Sequence, residues 1–389
     1  MMQINNNFQK NANISMVAQL LWKSPGISRV EIAHQLDLYR STVSNIINSL
    51  IDHKIVFEEK EGVAMPQGGR KPISLALNEK FGCVIGLEIQ PSGYHAVIIN
   101  VFGRILYSID APLPDSAFEA IVEQIFGELQ EQTKKIGIPL LGICVGMPGI
   151  IDSGKGVIVR SDPFNLDQYD FVSRFSVKNG VPVILENDAN CLAWMELANN
   201  RGDNLKSFIC LNAEYHFKDS RFGERSGMSV GMGVAIGGSV YSGSKHAAGE
   251  FVSTSWRKGD SGQTGLSSEI MNSLETDDIS FAEWIVDLFT SFVPVASVLD
   301  PASVFIHGEL ARKSETVLKV IAERVPQFQA LMQRSGCSVV LGDGSTYSVA
   351  TGSALMYFLY LFSVPGSSTG LIGRSIDWDT VFRLTDSSV

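Results

Sequence analysis

The sequence predicts an α/β protein in two unequal parts: an N-terminal winged helix-turn-helix over residues 1–80 and a larger α/β body from residue 81 onward. Three observations carry that reading. Apolar residues recur at helical spacing between Ile14 and Leu50, and from Phe81 onward strands and helices alternate. The charge also changes sign at the join. The first 80 residues hold nine Lys and Arg against seven Asp and Glu, the remaining 309 hold 22 against 34, and the whole chain of 389 residues has a formal net charge of −10. That balance excludes a uniformly basic nucleic-acid coat but leaves room for a local DNA-reading module.

The first helix is read from Ile14, Val17, Leu20 and Leu21, and Ser24-Pro25-Gly26 ends it. Ser28-Arg29-Val30-Glu31 fits a capping box, in which the serine hydroxyl accepts from the amide of Glu31 and the glutamate reaches back. Ile32, Ala33 and Leu36 give the short second helix its inner face. A third helix begins after Asp37-Leu38-Tyr39. It places Val43, Ile46, Ile47 and Leu50 on one side and Arg40, Ser41, Thr42, Ser44, Asn45 and Asn48 on the other. Residues 54–58 read as a strand and residues 73–77 as its return. Between them lie a polar stretch and Gly68-Gly69-Arg70-Lys71-Pro72, the wing.

The outer face of the third helix carries short hydrogen-bonding side chains and one arginine, with no acid. Such a face can enter a major groove without electrostatic penalty. The expected DNA contacts are Ser28 and Arg29 at the start of the second helix, Arg40, Ser41, Thr42, Ser44, Asn45 and Asn48 on the third, and Arg70 and Lys71 in the wing. In the wing, two glycines let the backbone approach a surface and Pro72 holds the two cations extended, a composition suited to phosphate or minor-groove contact. The expected partner is a palindromic double-stranded DNA operator. A homodimer would read it through recognition helices one DNA turn apart.

In the body, Cys83–Ile89, Tyr94–Val101 and Ile105–Ile109 read as strands and Ala117–Ile136 as a long amphipathic helix. Leu140–Val145 is a strand ending in Gly146-Met147-Pro148-Gly149. Val183-Ile184-Leu185 feeds Glu186-Asn187-Asp188-Ala189-Asn190 and then a helix through Asn199. In α/β sheets, loops at strand ends are where ligands bind. Glu214 to Arg225 reads as a solvated polar loop, and the aromatic run Tyr357 to Phe362 as a core or subunit-interface segment. No run of 18 or more apolar residues occurs, the longest candidate being the 11 residues Ala354 to Val364, and the N-terminus has no signal-peptide core. The expectation is a cytoplasmic protein with no membrane partner. The five cysteines lack CxxC spacing and are read as buried free thiols, with neither a disulfide framework nor a thiolate metal site.

Several ordered motifs resemble the ROK family (repressors, open reading frames and kinases). Residues 27–56, followed by Gly68 to Pro72, look like the DNA-binding half of its sugar-responsive repressors. Leu141 to Asp152, Glu186 to Glu196 and Val230 to Glu250 look like the sugar-binding half. The resemblance covers nearly the whole chain. It implies a two-lobed actin-like (ribonuclease H-like) sugar-kinase fold: residues 81–200 as the first lobe, joined by a C-terminal helix within about 346–389, and residues 201–345 as the second. It also implies a sugar or sugar derivative in the cleft, with Asn187, Asp188 and Glu250 as the sugar-binding residues. In the family's kinases the aspartate matching Asp188 is the base that accepts the sugar hydroxyl proton.

The departures from the family pattern favour a regulator over an enzyme. The kinases' Asp-x-Gly-x-Thr phosphate loop matches Glu88-Ile89-Gln90-Pro91-Ser92 here, where the glycine is Gln90 and Pro91 removes an amide donor. Phe305-Ile306-His307-Gly308-Glu309 keeps a single glycine on the adenosine side. The family's Glu-x-Gly-His is Glu250-Phe251-Val252-Ser253. Its Cys-x-Cys-Gly-x-x-Gly-Cys pattern is Gly259 to Leu266 without a cysteine, and a lone histidine nearby, His246, reads as structural. The expectation is a carbohydrate-responsive repressor with no catalytic residues, cofactor or metal. The alternatives are a sugar kinase with an appended DNA-binding domain, and a regulator with a decayed sugar site controlled by a protein partner.

Overall fold

The computed structural model describes residues 6–59, 73–201, 205–216, 227–260, 262–364 and 376–386. The chain opens with α1 (Asn6–Lys23), α2 (Arg29–Gln35) and α3 (Arg40–Asp52), followed by β1 (Val56–Glu58) and β2 (Leu75–Leu77). The capping box forms at the head of α2. The Ser28 amide donates to Glu31 Oε2 at 2.8 Å and the Glu31 amide donates to Ser28 Oγ at 3.4 Å, bonds that hold the Glu31 carboxyl below its usual range. Ile32, Ala33, Val43, Ile47 and Leu50 pack under Val17, Ala18 and Leu21 of α1. β1 and β2 pair antiparallel, with Val56 opposite Leu77. The loop between them, residues 60–72, lies outside the described residues, and with it the expected contacts Arg70 and Lys71.

The first large sheet begins with a meander of β3 (Cys83–Gln90), β4 (Gly93–Asn100) and β5 (Ile105–Ala111). After α4 (Phe118–Ile136), β6 (Leu140–Met147) adds parallel to β3. A small three-stranded sheet of β7 (Ile150–Asp152), β8 (Val157–Ser161) and β9 (Leu166–Asp170) follows, then α5 (Phe171–Asn179) and β10 (Val183–Asn187). The resulting order is β10-β6-β3-β4-β5, with α4 and α5 burying their aromatic and aliphatic side chains against one face.

From β10 the chain turns directly into α6 (Asp188–Asn199). The second large sheet has the order β13-β12-β11-β14-β15, from β11 (Phe208–His216), β12 (Gly227–Ile236), β13 (Ser239–Val240), β14 (Ser303–Gly308) and β15 (Ser338–Leu341). Between β13 and β14 run α7 (Ser268–Ser273) and α8 (Asp278–Leu299); between β14 and β15 run α9 (Glu309–Arg312), α10 (Ser314–Arg324) and α11 (Pro326–Ser335). The sequence reading by unbroken apolar runs passed over α8. It is nonetheless long and apolar enough to cross a membrane, with a mean hydropathy of 1.5. Here its inner face of Phe281, Trp284, Leu288, Phe289 and Phe292 is buried under the second sheet.

α6 packs on β11 and β12 on one side and on α12 (Ser348–Leu361) on the other, so it sits between the two sheets. A Cβ at Gly352 would stand 2.0 Å from the carbonyl oxygen of Cys191, so α6 and α12 cross at a separation only glycine permits. α12 continues onto β3 and β6 of the first sheet.

The last helix, α13 (Trp378–Asp386), ties the N-terminal helices to this body. Trp378 is fully buried; its indole N–H donates to Ser15 Oγ at 3.0 Å and its amide donates to Asn11 Oδ1 at 3.0 Å. The Ser15 hydroxyl donates in turn to the carbonyl of Leu361 at the end of α12 (3.0 Å), and Trp22 donates to the carbonyl of Val101 beyond β4 (2.9 Å). His53, at the end of α3, stacks on Phe382 with ring centroids 4.1 Å apart. One apolar core therefore runs from α1–α3 through α12 and α13 to the first sheet.

Candidate functional site

Two surfaces gather the polar residues singled out in the sequence. On α3, Val43, Ile47 and Leu50 turn inward, while Arg40, Ser41, Asn45 and Asn48 are exposed and Thr42 and Ser44 half-exposed, all on the acid-free side. Arg29 donates to Asn48 Oδ1 (3.0 Å) and pairs with Glu58 of β1 (3.0 Å), joining α2, α3 and the strand. Ser28 departs from the expectation of an outward contact. It is buried, and its hydroxyl is spent on the Glu31 carboxylate at 2.6 Å, so it positions α2 instead of facing a partner. Tyr39, which the sequence reading treated only as a turn residue, is 85% exposed at the head of α3. An aromatic directly before a polar helix face was the signal.

The second surface is the cleft between the sheets, beside the β10–α6 turn. Asn187 caps α6: its Oδ1 accepts from the Asn190 amide (3.2 Å) and its Nδ2 donates to the carbonyl of Gly149 (3.0 Å). Beneath it the buried Glu186 carboxylate accepts from Ser153 Oγ (2.6 Å), the Asn187 amide (2.9 Å) and Asn190 Nδ2 (3.2 Å), which fixes the turn. Asp188 accepts from the Ala189 amide at 2.8 Å and from Gln90 Nε2 at 3.5 Å. Burial pushes its carboxyl up against the pull of those donors. Glu250 lies alongside β12 in a single bridge to Gly231, next to Gly249, whose carbonyl accepts from the Met232 amide at 3.0 Å. Burial and the nearby Asp188 and Asp162 push the Glu250 carboxyl up as well. Asp188 and Glu250 therefore lie within electrostatic reach of one another, with Asn187 at the same turn, where both ends of its amide are taken up by the Asn190 amide and the Gly149 carbonyl.

Beyond Asp188 lies a cavity of about 420 Å³, lined among others by Glu88, Gln90, Ser92, Glu214 and Arg312. Gln90 donates to Glu88 Oε1 at 3.1 Å. Glu88 is buried, and burial together with Glu214 across the cleft drives its carboxyl well above the usual range. Glu214, expected in a solvated loop, instead lies on β11, where it accepts from Arg312 at 2.7 Å; Glu309 holds the same guanidinium at 2.8 Å. Residues 217–225 of that expected loop lie outside the described residues. Deeper in, His307 of β14 stands 3.3 Å from Glu196 of α6, both buried. His246 pairs with Asp152 at 3.4 Å.

Where the resembling family has its cysteine pattern, a zinc-binding set, hydroxyls here meet one carboxylate. Ser253 donates to Asp287 Oδ1 (2.9 Å) and lies 2.9 and 3.0 Å from the hydroxyls of Ser255 and Ser291, while Thr264 donates to Asp287 Oδ2 (2.7 Å). Gln263 pairs with both backbone groups of Val230 at 2.7 Å. These donors are mutually satisfied and include no thiolate or imidazole, so the set does not suit zinc. The knot itself fastens the 253–266 loop to α8 and β12.

Comparison with known proteins follows the same outline. The ROK family profile matches residues 84–254. The xylose repressor of Lactiplantibacillus pentosus is 32% identical over 243 residues, which cover 62% of this chain and 59% of that one. The chain thus spans about six tenths of the length of the xylose repressors it matches. A crystal structure of a ROK family transcriptional regulator, a homologue of the E. coli MLC protein, aligns over 97% of this chain and 99% of its own with a TM-score of 0.71 at 14% identity. A ROK family glucokinase from Streptomyces griseus, solved with glucose and AMPPNP, aligns over 71% of this chain and 99% of its own with a TM-score of 0.56 at 19% identity. At those identities the likeness is one of fold: an α/β body of the ROK sugar-kinase type. Residues 84–254 of the chain are thus similar to the ROK family domain.

Proposed function

We propose that this chain is a sugar-responsive transcription repressor. Residues 1–80 act as a winged helix-turn-helix on double-stranded operator DNA. Residues 81–200 with about 346–389, and residues 201–345, act as the two lobes of a sugar-binding body. The observation that carries the reading is the shared core: the module bearing the acid-free α3 face is packed through Trp378, Trp22 and α12 onto the lobe that bears Asp188. A ligand that favours one lobe arrangement can bias the placement of α3 only if the two are mechanically joined.

In this reading Arg40, Ser41, Thr42, Ser44, Asn45 and Asn48 face the groove, with Tyr39 beside them. Arg29 braces α3, and Arg70 and Lys71 contact the backbone from the wing. Asn187, Asp188 and Glu250 bind sugar hydroxyls, and the relatives' name makes xylose the first sugar to test. A homodimer in the cytoplasm would place two α3 helices on a palindrome. Phosphoryl transfer is not part of the reading: Gln90 and Pro91 stand where a phosphate cradle needs small residues and amide donors, and Glu88 and Glu214 oppose a triphosphate there. The test is capture of sheared genomic DNA from the host on purified protein, followed by sequencing. Enrichment of a palindrome with half-sites one DNA turn apart, reduced by an added sugar, is expected. Recovery no different from a protein-free control would overturn the proposal.

A further inference from the structure

We propose that Gln90 contacts the sugar and makes the cleft selective for unphosphorylated sugars: its side-chain oxygen accepts a hydrogen bond from a ligand hydroxyl beside Asp188, where a phosphate ester would meet carboxylates. This rests on the reading of the cleft as a sugar site. Gln90 is 5% exposed. Its Nε2 has two carboxyl oxygens to donate to, Glu88 Oε1 at 3.1 Å and Asp188 Oδ2 at 3.5 Å, which fixes the nitrogen on that side. Its Oε1 has no hydrogen-bond partner among the described residues. A buried amide oxygen left unpaired carries an uncompensated desolvation cost, and a ligand hydroxyl removes it.

Gln90 lines the cavity, and its amide nitrogen lies 3.5 Å from Asp188 Oδ2, so it stands between the cavity and the proposed sugar-binding carboxyl of Asp188. Across the same space lies Glu214, and the cavity's one guanidinium, Arg312, is already held by Glu214 and Glu309. A dianionic phosphate would face the acidic side chains of Glu88, Asp188 and Glu214, with Arg312 already held by two carboxylates and the cavity's other cation, Lys313, lying over the Phe281 ring at 4.4 Å. An amide oxygen accepts an uncharged hydroxyl without that repulsion. The residue that displaced the phosphate loop's glycine thus becomes a specificity determinant for the end of the sugar.

The test is calorimetry on the full chain with D-xylose, D-glucose, their singly deoxygenated analogues, xylose 5-phosphate and glucose 6-phosphate, repeated with Gln90→Leu. The expected results are phosphate esters binding at least tenfold more weakly than the free sugar, and one deoxy analogue losing about tenfold on the wild type but nothing on Gln90→Leu. A phosphate ester that binds as tightly as its parent would overturn the inference and leave the sugar-site reading standing. So would identical deoxy ratios on both proteins. The wild-type phosphate comparison decides the matter even where Gln90→Leu does not fold. No binding by any free or phosphorylated sugar would overturn both readings.

Discussion

Replacing Trp378 by alanine removes a fully buried indole from the seam between the N-terminal helices and the body. The ring lies 6.2 Å from Phe362 and 5.9 Å from Phe382 by centroid, and its N–H donates to Ser15. Truncating a buried tryptophan to alanine costs about 3–5 kcal/mol, transfer and cavity terms together. The Ser15 hydroxyl keeps its donation to Leu361 and loses only a donor, so the hydrogen-bond share of that cost is at the lower end, about 1 kcal/mol. The loss falls on one seam, so it should appear locally. Hydrogen exchange is expected to accelerate in residues 6–59 and 376–386 while β11, β14 and α8 keep their protection. Urea unfolding followed by exchange mass spectrometry measures both the size and the place. A loss below about 1 kcal/mol, or a loss spread evenly over both lobes, would refute the argument that Trp378 pins the module to the body.

Three further outcomes are expected. Arg40→Ala should weaken operator binding about 5- to 100-fold if the side chain reads a base, or lower the salt slope by about one if it holds a phosphate, with no change in melting temperature; unchanged affinity at two salt concentrations contradicts the groove assignment. Glu88 holds its proton more tightly in the folded chain than unfolded, so its contribution to stability is present below the usual carboxyl range and is lost as pH rises toward its raised value. Glu88→Gln should therefore melt with a flatter pH profile than the wild type above the usual carboxyl range, and parallel profiles would contradict this. Asp287→Ala leaves the Thr264 hydroxyl without its acceptor and Ser253 with only the Ser255 and Ser291 hydroxyls, and should cost about 1–3 kcal/mol, whereas a metal chelator should leave the wild-type melting temperature where it was.

What was legible in the sequence was local. The capping box at Ser28 and Glu31 is written in four consecutive residues, and the strands from Cys83 to Ile109 are set by segments rich in apolar and β-branched residues. The amphipathic split of α3 follows from its own spacing. What was not legible is long-range. Glu214 looks like a loop residue because charge follows it, yet pairing with Ser229 of β12 makes it a strand residue, and Arg312, 98 residues away, holds its side chain in the cleft. The pattern that marks the cap also suggests Ser28 as a DNA contact, because composition cannot distinguish a hydroxyl spent on its own helix from one facing outward. Gln90 registered only as a missing glycine; that its amide ties Glu88 to Asp188 depends on β3 lying beside the head of α6. Nor does any local pattern connect Trp378 to Ser15, or Asp287 to Ser253 and Thr264.

The central claim is that a sugar in the cleft changes the grip of α3 on DNA. Its most direct test is the affinity of the full chain for its selected operator, by fluorescence anisotropy at fixed salt, with and without saturating sugar and with ATP. The account predicts at least a tenfold loss of operator affinity with one unphosphorylated sugar and no effect of ATP. Operator affinity that no sugar alters, or a sugar phosphate formed from ATP in the same mixture, would contradict it.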